Sequence, residues 1–248
     1  MNDQWILKVE GLSKHFYLHE QNRKIPSTAT IDLELHPGQL LAITGPSGAG
    51  KSSLLKCIWR TYLPSSGRIL FRRRTGDSGG SSDNAVVDLA AANEQQVLAL
   101  RKSEIGNVTQ FLHCLPRKSA QDVVAAPLLE AGVSPASARQ SATTLLARLN
   151  VPPHLWAVAP ATFSGGEQQR INLARGLIRP VRLLLLDEPT ASLDPVSRER
   201  AIAVLRELKS NGTAMLAIFH DPALVDALAD GEVRVQAHPE QLTEENAQ

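Results

Sequence analysis

Short apolar runs alternate with amphipathic stretches along most of the chain. Four runs carry little charge, as expected of strands that are covered on both faces of a sheet: residues 39–44, 105–109, 181–186 and 213–219. The patterns between them predict helices through Leu54 to Trp59 and over residues 119–130, 135–149, 168–178 and 195–209. Strands that alternate with helices predict an α/β fold with a parallel sheet.

The segment 110–180 differs from the rest of the chain, because it contains helical patterns and no convincing strand. We therefore expect a helical subdomain inserted between strands of the sheet. Cap signals support the helix limits. Ser119 is a suitable N-cap, and Asp194 followed by Pro195 is typical of a helix start.

The charge balance narrows the function classes. The 248 residues hold 26 Lys and Arg against 25 Asp and Glu, a net charge of +1, so we expect no nucleic-acid partner. The polar stretch 72–84 is interpreted as a solvated loop, with phosphate or nucleic-acid binding by Arg72, Arg73 and Arg74 as the alternative. The two cysteines, Cys57 and Cys114, lack the spacing of a zinc site.

Membrane signals are missing from the sequence. The N-terminal residues lack the basic and apolar regions of a signal peptide, and no apolar window approaches about 18 residues. We therefore expect a cytoplasmic protein with no direct membrane insertion, whose membrane role, if it has one, comes from a partner.

A glycine-rich segment carries the most specific chemical signal. It matches G-x-x-x-x-G-K-S/T at every position, between a predicted strand and a predicted helix, with Gly45, Pro46, Ser47, Gly48, Ala49, Gly50, Lys51 and Ser52. Backbone N–H groups of such a turn surround phosphate oxygens, and the helix N-terminus adds partial positive charge. Lys51 can contact the β- and γ-phosphates, and the Ser52 hydroxyl can bind Mg²⁺. Ser53, the next helical residue, completes the predicted triphosphate site.

Two carboxylates end the apolar run 181–186. Asp187 lies where a fold of this type needs an acid that holds Mg²⁺, and Glu188 can orient or deprotonate the attacking water. Gln110 and His220 follow two other predicted strands. Because ligands gather at the carboxyl ends of strands in open α/β sheets, we expect all four side chains beside the glycine-rich turn.

Ser164 and Glu167 have two interpretations. They form an S-x-x-E capping box, and with Gly165 and Gly166 they also make a second glycine-bearing helix start that can bind phosphate. The chain thus offers two anion-binding helix starts and one P-loop lysine. Either one chain applies both to one ligand, or two chains each lend one to the other's nucleotide.

Together these motifs resemble the nucleotide-binding domain of the ATP-binding cassette (ABC) family. In that resemblance, Phe16 matches the aromatic residue that stacks on adenine, residues 164–167 the signature motif, Asp194 the D-loop and His220 the switch histidine. The family implies ATP and Mg²⁺ as ligands, with Ser52, Gln110 and Asp187 around the metal. The family also implies that Glu188, His220 and Gln110 act in catalysis.

The family also implies the architecture. We expect an ABC-type P-loop NTPase fold with a helical subdomain and an antiparallel β subdomain, as one ABC ATPase domain over residues 1–248. Its nucleotide-binding core comprises 1–109 and 181–248, and its helical signature subdomain 110–180. The implied assembly is a head-to-tail dimer, with a second copy or a related ABC-type subunit, that encloses each ATP between residues 45–52 of one chain and 164–167 of the other.

A narrower resemblance concerns the pathway. Residues 149–156 and 159–164, together with 110–112, resemble PhnL, the ABC-type subunit family of the bacterial carbon–phosphorus lyase system. This implies an ATPase bound to the carbon–phosphorus lyase core complex, supporting transfer of a phosphonate to the ribose of ATP to give a ribose 1-phosphonate 5-triphosphate. The alternatives are the ATPase subunit of a membrane transporter of the lipoprotein-release or macrolide-export type, and a nucleotide-gated binding module with negligible turnover.

Overall fold

Nine strands and seven α-helices make up the part of the chain that the structure describes. The structure, a computed structural model, describes residues 4–18, 23–74, 86–112 and 117–236. In chain order the elements are β1 (Leu7–Leu18), β2 (Arg23–Leu35), β3 (Leu40–Thr44), α1 (Lys51–Ile58), β4 (Ser66–Arg72), β5 (Val86–Asp88), α2 (Glu94–Ser103), β6 (Ile105–Val108), α3 (Ala120–Glu130), α4 (Pro135–Arg148), α5 (Gly165–Leu177), β7 (Leu183–Asp187), α6 (Pro195–Ser210), β8 (Ala214–Ile218), α7 (Pro222–Leu228) and β9 (Gly231–Arg234).

A parallel sheet in the order β6-β7-β8-β3-β9 forms the centre of the fold. Its strands are covered on both faces, because successive residues belong to different hydrophobic clusters. In β7, Leu184 and Leu186 pack with the helices α3 to α7, whereas Leu183 and Leu185 pack with α1 and the second sheet. All four leucines are fully buried. The continuous apolar runs of the sequence follow from this double burial, and the predicted parallel sheet is confirmed.

The second sheet is antiparallel, in the order β2-β1-β4-β5. The long strands β1 and β2 pair from Leu7 with Leu35 onward, with register shifts near Leu12 and Lys14. One face of this sheet, including the fully buried Phe71, lies in the cluster that contains α1. The structure therefore has the ABC-type α/β fold with an antiparallel β part that the resemblance implies.

Helices fill the described residues between β6 and β7, as the sequence predicts. Ser119, Ser134, Ser164 and Asp194 each accept a hydrogen bond from a backbone N–H in the first turn of the helix that follows. One predicted limit is wrong. The helix predicted from residue 168 begins at Gly165, because the cap at Ser164 places Gly165 and Gly166 inside the first turn. The predicted domain limits at 109, 110 and 180 stay predictions.

Two earlier expectations fall partly outside the described residues. Residues 75–84 of the polar stretch and Cys114 lie outside them. Arg72 is described, and its guanidinium stacks on the Trp5 ring at 4.4 Å and donates to the Trp5 carbonyl. This places Arg72 in a packing role. Among the described helices, none combines the length and the apolar character that a bilayer crossing requires.

Candidate active site

Four loops meet at the carboxyl edge of the parallel sheet, because β3, β6, β7 and β8 all run in the same direction. The loop after β3 contains the glycine-rich turn, and Gln110 lies two residues after β6. Asp187 ends β7, and His220 lies two residues after β8. The chain topology thus brings together side chains that lie far apart in the sequence.

The glycine-rich turn depends on glycine at two positions. Gly50 precedes α1 with φ +91°, and a Cβ there would lie 1.9 Å from the Ser27 carbonyl oxygen. Gly45 has φ +137°, and a Cβ there would lie 2.1 Å from the Val235 carbonyl oxygen. Larger residues would therefore displace the neighbouring backbone as well as strain the turn. The shape of the loop is fixed by what packs around it.

The Lys51 ammonium lies over this loop. Lys51 begins α1 and is only 8% exposed, and its Nζ donates to the carbonyl oxygens of Gly45 and Pro46 at 2.8 Å each. Beside it, Ser53 accepts a hydrogen bond from the Ser27 hydroxyl at 2.8 Å. A fixed positive charge therefore lies next to the partial positive charge of the helix N-terminus, an arrangement suited to an anion.

Ser52 and Asp187 meet beside Lys51. The Ser52 hydroxyl donates to Asp187 Oδ1 at 3.2 Å, and Asp187 is 9% exposed. Burial raises the pKa of Asp187, the hydrogen bond from Ser52 lowers it, and the charge of Glu188 raises it further. The Ser52 hydroxyl and the desolvated Asp187 carboxylate are both hard oxygen donors, which Mg²⁺ prefers. No group of three or more His, Cys, Asp or Glu suited to a metal occurs within the described residues, so phosphate oxygens would have to supply further ligands.

Glu188 contacts both polar side chains that follow the neighbouring strands. Its Oε1 lies 2.6 Å from His220 Nε2, and its Oε2 accepts from Gln110 Nε2 at 3.3 Å. The Glu188 side chain is 16% exposed, while His220 is 55% exposed. Two partners therefore orient the carboxylate, and one of them, His220, is exposed to solvent. A group that accepts a proton from water needs both this orientation and access to solvent.

Gln169 and Asn172 also belong to this region, and the sequence analysis missed them. Gln169 Nε2 donates to the Glu188 carbonyl at 3.2 Å, and Asn172 Nδ2 donates to the Thr109 carbonyl. Both amides are buried in α5 among Ile171, Leu173, Ala174 and Leu177. Polar residues at i and i+3 within an apolar helix face were the signal that could have revealed them, because buried amides need partners.

Phe16 lies apart from the loop cluster, on β1. Its ring is 36% exposed and meets Tyr62 edge to face, with centroids 5.2 Å apart and an interplanar angle of 84°. The Lys14 ammonium lies 4.8 Å from the centre of the Phe16 ring. An exposed aromatic held in this way can stack a planar base. Tyr62 is a third residue that the sequence analysis missed.

The predicted capping box at the start of α5 is present. Ser164 N–H donates to Glu167 Oε2 at 2.8 Å, and Glu167 N–H donates to Ser164 Oγ at 3.4 Å. The side-chain hydrogen bond from Ser164 lowers the pKa of Glu167. Among the described residues, no hydrogen bond or ion pair joins residues 164–167 to residues 45–53. The two helix starts therefore share no polar contact within the described part of the chain.

Asp194 caps α6 and links it to α5. Its Oδ1 accepts from the Ser197 N–H at 3.0 Å, and its Oδ2 forms an ion pair with Arg170 at 3.1 Å. Gly166 is close to the same segment, since a Cβ there would lie 2.9 Å from the Ser192 carbonyl oxygen. The predicted D-loop and signature residues therefore pack against each other within one chain.

Comparisons with known proteins agree with this geometry. Residues 28–191 match the family described as ABC transporter. The lipoprotein-releasing system ATP-binding protein LolD of Shewanella sp. (strain MR-4) is 34% identical over 244 residues, which cover 98% of each chain. The macrolide export ATP-binding/permease protein MacB of Chromobacterium violaceum is 35% identical over 233 residues, which cover 92% of this chain and 34% of MacB.

A solved structure with a similar fold carries nucleotide products. The ATP-binding cassette MJ0796, in a dimeric post-hydrolysis state bound to ADP and Pi, aligns with a TM-score of 0.78 and 25% identity over 92% of this chain and 96% of that one. A second dimeric structure of MJ0796, described as a bacterial ABC transporter cassette, gives the same TM-score at 26% identity.

These findings correct the pathway inferred from the sequence. The relatives reported above are lipoprotein-release and macrolide-export proteins, so the PhnL resemblance, the carbon–phosphorus lyase core complex as partner and the phosphonate function are wrong. The broader resemblance is confirmed by the family match and by the end-to-end similarity to LolD. The chain belongs to the ABC transporter family and is one of its ATP-binding, ATP-hydrolysing subunits.

Proposed function

We propose that this chain is the ATPase subunit of a membrane transporter of the lipoprotein-release or macrolide-export type. The observation that carries the proposal is the similarity to LolD, a lipoprotein-releasing system ATP-binding protein, over 98% of both chains. In the MacB relatives the same region covers about a third of a protein whose name includes a permease. A membrane-spanning permease is the second component that this proposal requires.

ATP hydrolysis follows from the side chains at the carboxyl edge of the parallel sheet. The glycine-rich turn and Lys51 hold the triphosphate, with Ser52 and Asp187 as the residues that would hold Mg²⁺. The metal, when bound, neutralises charge on the β- and γ-phosphates. These residues place the γ-phosphate in line with the water, and positioning together with electrostatics supplies most of the rate.

Glu188 would act on the attacking water. Its carboxylate orients the water and takes up its proton as the bond to the γ-phosphorus forms and the bond to the ADP oxygen breaks. His220 and Gln110 contact the two oxygens of Glu188. In this proposal they would also position the γ-phosphate. In this assignment Phe16 stacks on the adenine.

A dimer completes the site in this proposal. The second helix start, at Ser164, would approach the γ-phosphate that Lys51 of the partner chain holds. The lack of a hydrogen bond or ion pair between the described residues 45–53 and 164–167 is consistent with this arrangement, and the dimeric structures of MJ0796 support it. The second chain is either another copy or a related ABC subunit.

A groove beside the active site supports a membrane partner. A cavity of about 690 Å³ opens between α2, β6, α3 and α5, and its lining includes Trp59, Leu98, Arg101, Pro127 and Glu130. Leu98 is 60% exposed, which leaves an apolar contact available to another protein. The lining combines apolar side chains with charged ones such as Arg101 and Glu130, and a helix of a membrane subunit with apolar and charged residues would match it.

Affinity purification of the full chain tests the proposal. We expect a tagged chain from detergent-solubilised membranes to retain a membrane-spanning subunit, identified by mass spectrometry. Leu98→Asp should abolish the association, whereas Leu63→Asp, which charges a leucine of similar exposure (58%), should leave it intact. Recovery of all of the chain in complexes that form without any membrane protein would contradict the proposal.

A further inference from the structure

Two buried amides of α5 bond to the backbone of the active-site loops. Gln169 is 6% exposed and Asn172 is 4% exposed, and both donate to main-chain carbonyls rather than to solvent. Their acceptors are the Glu188 carbonyl after β7 and the Thr109 carbonyl after β6. Since burying an amide is costly unless it is bonded, these contacts fix the position of the loops relative to the helix.

The first acceptor belongs to a strained residue. Glu188 has φ +51°, a left-handed conformation that is unfavourable for a residue with a side chain. Its N–H donates to the Ile218 carbonyl at 3.2 Å, and its carbonyl accepts from Gln169 Nε2 at 3.2 Å, so the peptide groups on both sides of Glu188 are bonded. This conformation turns the Glu188 side chain toward Gln110 and His220, so a loss of the Gln169 bond would release the carboxylate.

The second acceptor precedes Gln110. The Asn172 bond to Thr109 fixes the backbone from which Gln110 reaches Glu188 at 3.3 Å. The helix and β6 are also in close contact here, since a Cβ on Gly176 would lie 2.3 Å from Val108 Cγ2. One helix face therefore fixes the two loops whose side chains meet at the candidate catalytic carboxylate.

We infer that Gln169 and Asn172 are positioning residues for ATP hydrolysis. Their hydrogen bonds to the Glu188 and Thr109 carbonyls fix the backbone from which the Glu188 and Gln110 side chains meet. The inference rests on the proposed role of Glu188. Neither amide contacts the glycine-rich turn or Lys51 in the described residues, so nucleotide binding does not depend on them. Because Ser164 caps the same helix, the two amides also couple the orientation of Glu188 to the position of residues 164–167.

Single substitutions separate this role from a general packing role. Gln169→Met keeps the side-chain length and removes the donor, and Asn172→Leu does the same at the second position. We expect kcat to fall about tenfold to a hundredfold, since a misplacement of about 1 Å has effects of this size, while the KM for ATP stays within about twofold. The double variant should lose little more than the stronger single variant, because both bonds hold one arrangement.

The matched control is Gln96→Met on α2. Gln96 also bonds a backbone group through its side chain, but at the exposed start of a helix away from the sheet edge. Its kcat should equal that of the parent. Hydrogen exchange of the nucleotide-free proteins gives a second readout, in which exchange should rise at residues 188–191 in Gln169→Met and remain unchanged along α4 and α6. Gln169→Leu, which also removes the donor and adds no charge, replaces the methionine variant if that variant does not fold.

Several results would overturn the inference. These are parent-like kcat in Gln169→Met, a rise in KM that accounts for the loss of rate, or faster exchange throughout the helices. Glu188→Gln, assayed in parallel, distinguishes this failure from failure of the proposed site. If Glu188→Gln turns over at the parent rate, the assignment of Glu188 fails; if only the Gln169 and Asn172 variants are active, Glu188 stands and the positioning role is lost.

Discussion

Replacing Glu188 by glutamine should stop hydrolysis without loss of ATP binding. The substitution keeps the side-chain shape and leaves the backbone contacts of residue 188 to Ile218 and Gln169 in place. It removes the negative charge and one of the two acceptors that contact His220 and Gln110. Lys51 and the glycine-rich turn remain unchanged, so the triphosphate should still bind.

The expected magnitude follows from the role of the carboxylate. A positioned general base contributes about 10²–10⁴-fold to the rate, which corresponds to about 2.7–5.5 kcal/mol in the activation free energy. The affinity for ATP should change by less than about threefold, because Glu188 contacts neither Lys51 nor the loop carbonyls that Lys51 holds. Slow turnover with retained binding should also let the ATP-bound dimer accumulate.

Steady-state phosphate release and light scattering after gel filtration measure these two effects. The control is Glu207→Gln on α6, which removes a carboxylate from a surface ion pair with Arg148 of α4. This change should leave kcat unchanged. Hydrolysis by Glu188→Gln at the parent rate would show that another group handles the water. Loss of ATP affinity in the same variant would show that Glu188 serves binding instead.

Three further substitutions test the rest of the site. Lys51→Ala should weaken ATP binding about a hundredfold or more in a titration with a fluorescent ATP analogue, because charge-assisted bonds are worth about 1.5–3 kcal/mol each; unchanged affinity would refute its role. Gly50→Ala should cost about 2–5 kcal/mol in denaturant unfolding, from the left-handed φ and the clash with Ser27, and Gly48→Ala, where nothing lies within 4 Å of the added Cβ, should cost less. Asp187→Asn should raise the thermal midpoint of the nucleotide-free protein at pH 7, because burial raises the Asp187 pKa and so penalises its charged form above that pKa. The advantage should shrink as the pH falls through that pKa toward the unfolded value, and an advantage independent of pH would refute this cause.

The sequence predicts those features that depend on local pattern. The strands β3, β7 and β8 are apolar at nearly every position because alternate side chains enter different clusters, and this pattern is visible in the sequence. The capping box of Ser164 and Glu167 is also local, since its two residues lie three positions apart. The glycine-rich turn is recognised from its motif, although Ser27 and Val235, which pack against it, are distant in sequence. From parallel strands it then follows that Gln110, Asp187 and His220 share one edge.

Features that depend on distant pairing are harder to predict. The antiparallel sheet was expected only from the family resemblance, because β1 pairs with β2 and β4 through shifted registers that interrupt the alternation. The short helix α2 buries only Val97 and Leu100, so its apolar periodicity is weak. Gln169 and Tyr62 contact residues far from them in sequence, and neither carries a motif of its own.

The error about the pathway has a physical reason in the positions of the residues that suggested it. The segments 149–156 and 159–164 carried the narrower resemblance, yet Leu149, Val151 and Phe163 are all buried in the cluster with α3 to α7. Trp156 likewise turns inward and donates from its indole N–H to the Val151 carbonyl. Such residues determine how the helical segment packs. Because they are buried, a partner can contact little of them.

Partner choice depends on residues that another protein can touch. In the described part of the chain these include Leu98, and Pro127 and Glu130 of α3, which line the groove beside the sheet. A substitution there changes the docking surface with little effect on the fold, whereas a substitution at Val151 affects mainly the packing of the helical segment. Assignment of an ABC ATPase to a soluble assembly or to a membrane transporter should therefore be argued from this groove, and the contrast between Leu98→Asp and Leu63→Asp measures it directly.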